Sequence, residues 1–164
     1  MLPIKKIVCA TDFSEPSYHA VKTASELAAY FDSELILVHV VAEVPALLAP
    51  PTNMAVPVPA PGINVAKYQR EVEDSADKVL CSVAAENVPG NVSVRTVVMS
   101  GDAAEEIVRA TSQEKADLLV ISTHGLRGWR RLVFGSVTNK VLNMAPCPTL
   151  VITSPAEAEG ETQS

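Results

Sequence analysis

The chain has 164 residues, of which 48% are hydrophobic, and this is the size and composition of one globular domain with a sizeable core. Its formal net charge of −6 argues against non-specific binding to nucleic acid and to anionic lipid. No apolar run has the length of a membrane span, and the N-terminal residues do not resemble a signal peptide. Cys9, Cys81 and Cys147 form neither a CxxC pair nor a metal-ligand pattern, so we expect free thiols and a cytoplasmic protein.

The first half of the chain predicts two strands, a helix and a long loop. Residues 4–10 and 35–41 are short apolar runs rich in β-branched residues, which is typical of strands buried by flanking helices. Between them, apolar residues recur at helical spacing, and Ser14 is a suitable N-cap for this helix. Residues 44–63 contain too many prolines for regular structure. We predict a loop there that either folds onto its own domain or contacts a partner.

The second half continues the alternation of helices and strands. Amphipathic patterns predict helices over 64–87, after the turn at 100–102, and over 135–144. Apolar or alternating runs predict strands over 92–98, 116–122 and 149–153, with a loop over 123–134. Residues 154–164 contain no core residues and are expected to form a disordered tail. The predicted domain therefore spans residues 1–153.

Strands that alternate with helices are joined by right-handed crossovers and build a parallel sheet with helices on both faces. We therefore predict a single-domain, Rossmann-like α/β sandwich around a five-stranded parallel sheet. The first and fourth strands are among the most apolar, which places them at the centre. The third strand alternates polar and apolar residues, as a peripheral strand does, and the fifth is a candidate edge strand.

Small and polar residues follow the two strands predicted to be central. Residues 11–14 (TDFS) follow the first, and residues 122–125 (STHG) end the fourth. Ligands of open α/β sheets bind at such carboxyl ends, where the strand order reverses. Gly135, Ser136 and Thr138 then open a helix, whose exposed amides and two hydroxyl groups would favour an anion such as phosphate. Ordinary capping, including a turn closed by Asp12 itself, produces the same pattern, so both interpretations remain open.

These segments resemble the universal stress protein family, and the likeness extends over residues 4–153. It is carried by residues 10–14 (ATDFS), 37–40 (LVHV), 122–128 with 135–137, and 145–152 (APCPTLVI). ATP-binding members of the family show the pattern Gly-x2-Gly-x9-Gly-Ser/Thr. Gly125, the nine residues after it, Gly135 and Ser136 match its last elements, whereas Ser122 stands in place of the first glycine. Serine would weaken binding if that position required positive φ or contact with the ligand.

The resemblance implies a fold of the adenine nucleotide α hydrolase-like type that binds ATP, alone or with Mg²⁺. It implies that Asp12 lies beside the nucleoside, that the backbone of Val40 meets adenine, and that the helix start from Gly135 lines the phosphates. The site residues implied in this way are Ala10, Thr11, Asp12, Val40, Ile121, Ser122, His124, Gly125, Arg127, Gly128, Gly135, Ser136, Val137 and Thr138.

Three functions remain open on these grounds. The resemblance favours a regulatory, stress-response nucleotide-binding protein with little or no turnover, and the sequence shows neither a P-loop lysine nor a catalytic motif. The alternatives are a slow Mg-dependent ATPase and a nucleotide-free protein interaction module. His19, His39 and His124 lack metal-ligand spacing, so no protein-bound metal is predicted. The resemblance further implies a homodimer formed through the last strand, and a protein partner that the sequence does not identify.

Overall fold

The computed structural model describes residues 3–43, 64–123 and 135–153. Within these ranges the strands are β1 Lys6–Ala10, β2 Glu34–Val41, β3 Val94–Ser100, β4 Leu118–Thr123 and β5 Thr149–Thr153. The helices are α1 Glu15–Phe31, α2 Val65–Asn87, α3 Ala103–Gln113 and α4 Ser136–Met144. None of these helices combines the length and the hydropathy that a membrane span requires. The loop predicted over 44–63, residues 124–134 and the predicted tail 154–164 lie outside the described residues.

The sheet is parallel throughout, and its strand order is β3-β2-β1-β4-β5. β1 is central, since Cys9 pairs with Leu37 of β2 on one side and with Val120 of β4 on the other. The chain moves outward from β1 to β3 and then returns to β4, so the strand order reverses between β1 and β4. This confirms the predicted α/β fold, with β1 and β4 inside the sheet and β3 and β5 at its edges.

The helices cover both faces of the sheet, and each face has its own core. α1 and α2 enclose a core in which Val21, Leu37 and Leu80 are fully buried. α3 and α4 cover the other face, where Ile36 and Val141 are fully buried. Leu37 and Ile36 enter different cores because side chains alternate along a strand. Each such side chain contributes about 1.5–3 kcal/mol relative to exposure, which holds the sheet rigidly between the helix layers.

The observed β3 is displaced by two residues from the prediction, since it covers Val94–Ser100 rather than 92–98. Val92 is buried, so its apolar side chain extends the alternating pattern of the strand by two residues although Val92 is not part of it. Its amide instead donates to the carbonyl oxygen of Pro89 within the preceding turn, at 2.9 Å. At the other end, pairing with β2 continues to Ser100, and this pairing is not visible in the local pattern.

Candidate functional site

A cavity of about 270 Å³ lies at the carboxyl end of the sheet, beside the ends of β1 and β4. Ligands of open α/β sheets bind at this point of strand reversal. Every predicted site residue within the described ranges lies in its wall: Ala10, Thr11, Asp12, Val40, Ile121, Ser122, Gly135, Ser136, Val137 and Thr138. The other four, His124, Gly125, Arg127 and Gly128, lie outside the described residues.

Three further wall residues, Val38, Ala103 and Ile107, were missed by the sequence analysis. Val38 precedes Val40 by two positions, so the alternation of strand side chains puts both on one face. Ala103 and Ile107 are four positions apart in α3 and therefore share one face of that helix. The spacing could have identified all three, but only once α3 had been assigned to the same face of the sheet as the cavity.

The wall formed by the sheet and α3 is apolar. Val38, Ile107 and Ile121 are buried, and Val40 is half-buried. Asp12 is the one ionisable side chain among the described wall residues. Such a surface suits a flat, weakly polar ring, with a few polar groups at the margin to fix its orientation.

The opposite wall is the N-terminus of α4. Gly135 is the N-cap residue, and no side chain in the described part of the chain caps this helix. The first amides of a helix have no intrahelical acceptor, and they carry partial positive charge. α3 shows the contrasting arrangement, because the Asp102 carboxylate accepts hydrogen bonds of 3.1 Å from the amides of both Ala104 and Glu105. The α4 amides are thus placed to receive an anion in the cavity.

The backbone of Gly135 does not require glycine. Its φ of −57° and ψ of 159° are open to any residue. A Cβ added to Gly135 would meet no described atom within 4 Å. Because Gly135 lies in the cavity wall, the absence of a side chain leaves this space beside the α4 amides open.

Thr138 makes a structural contact that the sequence analysis did not anticipate. Its buried hydroxyl group donates a hydrogen bond of 3.1 Å to the carbonyl oxygen of Ser122. A hydroxyl group has one hydrogen, and this one joins α4 to β4. The side chain of Thr138 is therefore not the free donor that the sequence predicted. Ser136 is exposed at the start of the helix, and its role as a donor to a ligand stays a prediction.

Ser122, which replaces the first glycine of the family pattern, fits its position without backbone strain. It lies inside β4 and is 8% exposed. It is not among the described non-glycine residues with positive φ, which are Phe13, Asp32 and Lys115. The concern that serine occupies a position reserved for positive φ is thereby removed.

The turn after β1 places Asp12 in the cavity wall. Oδ1 of Asp12 accepts hydrogen bonds from the amide and the hydroxyl group of Ser14. Ser14 is the N-cap of α1 by position, as expected, but its side chain makes no capping hydrogen bond to that helix. Asp12 thus closes its own turn and also faces the cavity, so the two interpretations of this residue are compatible.

Charged groups outside the wall pair with one another at the contact between α3 and α4. Nζ of Lys140 lies 3.2 Å from carboxylate oxygens of both Asp102 and Glu105. The amide of Glu105, followed by Lys140, lowers the pKa of the Asp102 carboxyl. Among the described residues no cluster of three histidine, cysteine or acidic side chains is placed to hold a metal ion. These charges therefore connect the two helices.

Comparison with known proteins identifies relatives along nearly the whole chain. A model of the universal stress protein family matches residues 3–153. A universal stress protein of Methanocaldococcus jannaschii is 35% identical over 153 residues, which cover 92% of this chain and 83% of that protein.

Solved structures share the fold. The structure of hypothetical protein MJ0577 matches with a TM-score of 0.70 at 23% identity, over 94% of this chain and 99% of that chain. A universal stress protein in complex with cAMP matches with a TM-score of 0.58 at 20% identity, over 92% and 97% of the two chains. A family member from Arabidopsis thaliana with AMP bound matches with a TM-score of 0.56 at 18% identity, over 96% and 97%. The family model and the relative that is 35% identical show that the chain belongs to the universal stress protein family.

Proposed function

We propose that this protein binds ATP in the cavity and acts as a regulatory, stress-response nucleotide-binding domain with little or no turnover. The observation that carries the proposal is the division of the cavity wall. The amides at the start of α4, which no described side chain caps, lie on one side, and the apolar side chains of Val38, Val40 and Ile121 lie on another. A nucleotide has the matching division into anionic phosphates and a flat base. Hydrogen bonds to charged groups contribute about 1.5–3 kcal/mol each, so a few α4 amides would anchor the phosphates.

Adenine is the proposed base because two structures with this fold contain an adenine nucleotide, cAMP in one and AMP in the other. Their low identity to this chain shows the fold alone, so the step from those proteins to this one is our own. ATP is proposed over a monophosphate because Gly125, Gly135 and Ser136 match the pattern of ATP-binding family members.

Little turnover is proposed because the described wall offers a single ionisable side chain, that of Asp12. Phosphoryl transfer depends on neutralised phosphate charge and a positioned nucleophile. A slow Mg-dependent ATPase is the second candidate, and the same residue favours it. Mg²⁺ in nucleotide sites is held by one or two carboxylates together with phosphate oxygens. Among the described wall residues, Asp12 has the carboxylate that would bind a Mg²⁺ ion arriving with ATP.

The direct experiment compares occupancy, affinity and turnover in one preparation. The purified protein is extracted and the extract is analysed for nucleotides. Nucleotide-free protein is then titrated with ATP, AMP, cAMP and GTP by calorimetry, and phosphate release from Mg-ATP is followed. We expect ATP to bind more tightly than GTP, with phosphate release no faster than in a protein-free control. Rapid release would support the ATPase, and no binding of any nucleotide would overturn the proposal in favour of an interaction module.

We also propose that two copies of the protein pair through β5. This strand is an edge of the sheet, and its residues Leu150, Val151 and Ile152 are only half-buried. An edge strand with apolar side chains invites pairing with a second chain. Light scattering after size exclusion measures the mass directly. A protein that stays at the 17.4 kDa of one chain at high concentration would contradict the dimer.

A cytoplasmic location is proposed from the state of the thiols. Cys9, Cys81 and Cys147 are unpaired, which suits a reducing compartment. Burial raises the pKa of the Cys9 thiol to about 12, so that residue stays protonated and unreactive. Fractionation of cells that express the protein tests the location.

A further inference from the structure

His39 contacts the turn between β1 and α1 from the face of the sheet opposite the cavity. It follows Leu37 by two positions in β2, and Leu37 belongs to the core beneath α1 and α2. Nδ1 of His39 lies 2.8 Å from the carbonyl oxygen of Thr11. The imidazole ring also stacks on the ring of Phe13, with the ring centroids 4.0 Å apart and the planes inclined by 20°. His39 therefore contacts the residues on both sides of Asp12.

The contacted turn has a backbone conformation that needs support. Phe13 has a φ of 63°, in the left-handed region that bulky residues rarely adopt. Such a conformation persists where the surrounding contacts fix it. The amide of Phe13 donates to Oγ1 of Thr11 at 3.1 Å, and this oxygen lies 2.8 Å from Oγ of Ser17. Oγ of Ser17 donates in turn to the carbonyl oxygen of Ser14. The hydroxyl chain holds the turn from α1. From β2, His39 holds it together with the Val38 carbonyl oxygen, which accepts from the Thr11 amide.

We propose that His39 is a positioning residue for the ligand, which fixes Thr11 and Phe13 so that Asp12 faces the cavity before any ligand arrives. The inference rests on the proposed nucleotide site. His39 is not among the described residues of the cavity wall, so its influence on a ligand passes through the turn. Fixing a binding loop in advance strengthens binding because the ligand does not have to order it.

The chemistry of the contact defines the variants. A carbonyl oxygen only accepts hydrogen bonds, so Nδ1 of His39 carries a hydrogen in this structure. His39→Ala removes both the donor and the ring. His39→Asn keeps an N–H donor at the same distance along the side chain and loses the ring stack. His19→Asn is the matched control, since His19 is exposed on α1. Val83→Ala is the control for lost stability, because Val83 is buried near the end of α2.

Two measurements are made on each folded variant. Calorimetry gives the ATP affinity, and NMR hydrogen exchange of the nucleotide-free protein gives the protection of the Thr11 and Phe13 amides. We expect His39→Ala to weaken ATP binding about tenfold, on the scale of one lost hydrogen bond, and to accelerate exchange at the Phe13 amide. The Thr11 amide, which donates to the Val38 carbonyl oxygen at 2.9 Å, serves as the reference. His39→Asn should recover part of both effects, and the two controls should bind ATP like the wild type.

The outcomes separate this inference from the proposed function. If wild type binds ATP and His39→Ala binds it equally well, the positioning role is wrong and the nucleotide site stands. An equal loss of affinity in Val83→Ala would assign the effect to general stability and would also overturn the positioning role. If wild type binds no nucleotide, the proposed function fails, and unchanged amide exchange in His39→Ala would then show that His39 does not hold the turn either. A wild-type imidazole spectrum without a hydrogen on Nδ1 would contradict the contact itself.

Discussion

Substituting Gly135 by aspartate should make the protein more stable and weaken nucleotide binding. The two effects have one cause, which is competition for the amides at the start of α4. The backbone at Gly135 has φ −57° and ψ 159°, and Asp102, whose side chain does cap α3, has φ −70° and ψ 123°. A Cβ there meets no described atom within 4 Å. Gly135→Asp can therefore place a carboxylate over α4 in the way that Asp102 caps α3.

The expected magnitudes follow from the groups involved. An aspartate cap improves on a glycine cap by a few tenths of a kcal/mol, and the helix dipole favours its negative charge. Replacing glycine also reduces the entropy of the unfolded chain. Together these effects should raise the free energy of unfolding by about 1 kcal/mol. A gain of that size raises Tm by roughly 2–4 °C in a chain of this length. Withdrawing two amides from a phosphate removes two charge-assisted hydrogen bonds, or about 3 kcal/mol, and weakens ATP binding about 100-fold.

Thermal unfolding and calorimetric titration with ATP measure the two effects on the same samples. Gly135→Ala tests the bulk of a Cβ without a new charge. Gly90→Asp adds the same charge at an exposed glycine whose Cβ would also meet nothing within 4 Å. If Gly135→Asp is more stable yet binds ATP as wild type does, phosphate does not bind at α4. A fall in Tm for this variant would show that the α4 amides already have acceptors, which also refutes the reasoning.

Three further substitutions test individual contacts. Ser122→Gly restores the family's first glycine in an extended strand, so calorimetry should show unchanged ATP affinity while urea unfolding shows a loss of about 0.5–1 kcal/mol. Thr138→Val removes the hydrogen bond to the Ser122 carbonyl oxygen and should lower the free energy of unfolding by about 1 kcal/mol. The amides of Lys5 and Lys6 donate to Asp117 and lower the pKa of its carboxyl. The stabilising effect of the Asp117 carboxylate is present above the unfolded-state pKa of about 3.9 and is lost as pH falls through the lower, folded-state pKa. Between pH 7 and pH 3, the free energy of unfolding should therefore fall less in Asp117→Asn than in wild type.

The fold was predictable because its signals are local. The nearly continuous apolar run of β2 reflects burial on both faces of the sheet, and the apolar spacing in α1 reflects burial of one helix face. Alternation of the two element types then indicates a parallel sheet. The boundaries of β3 were not predictable in the same way. Val92 is buried in a turn, and burial alone does not separate a turn residue from a strand residue.

The polar part of the candidate site followed from position, since polar residues at the ends of β1 and β4 must meet where the strand order reverses. Its apolar residues, such as Val40 and Ile121, followed from the family resemblance. The contacts that shape the site did not follow. The hydrogen bond from Thr138 to Ser122 links residues 16 positions apart, and the contact between His39 and Thr11 links residues 28 positions apart. Neither pair has a repeating signal in the sequence, because each depends on how separate elements meet after the sheet has formed.

The two glycine positions of the family pattern that fall within the described residues have different physical roles, and this explains why only one of them is a glycine in this chain. At Ser122 the backbone is an extended strand, and its carbonyl oxygen is used by Thr138, so a small side chain satisfies every constraint that the protein imposes. At Gly135 the described protein imposes no constraint, since both its dihedral angles and the surrounding space would accept a side chain. Glycine there costs the α4 helix a side-chain cap, as the Asp102 cap of α3 makes plain. No described residue explains why this chain forgoes that stability, so glycine at this position supports our proposal that an anion binds at the α4 amides.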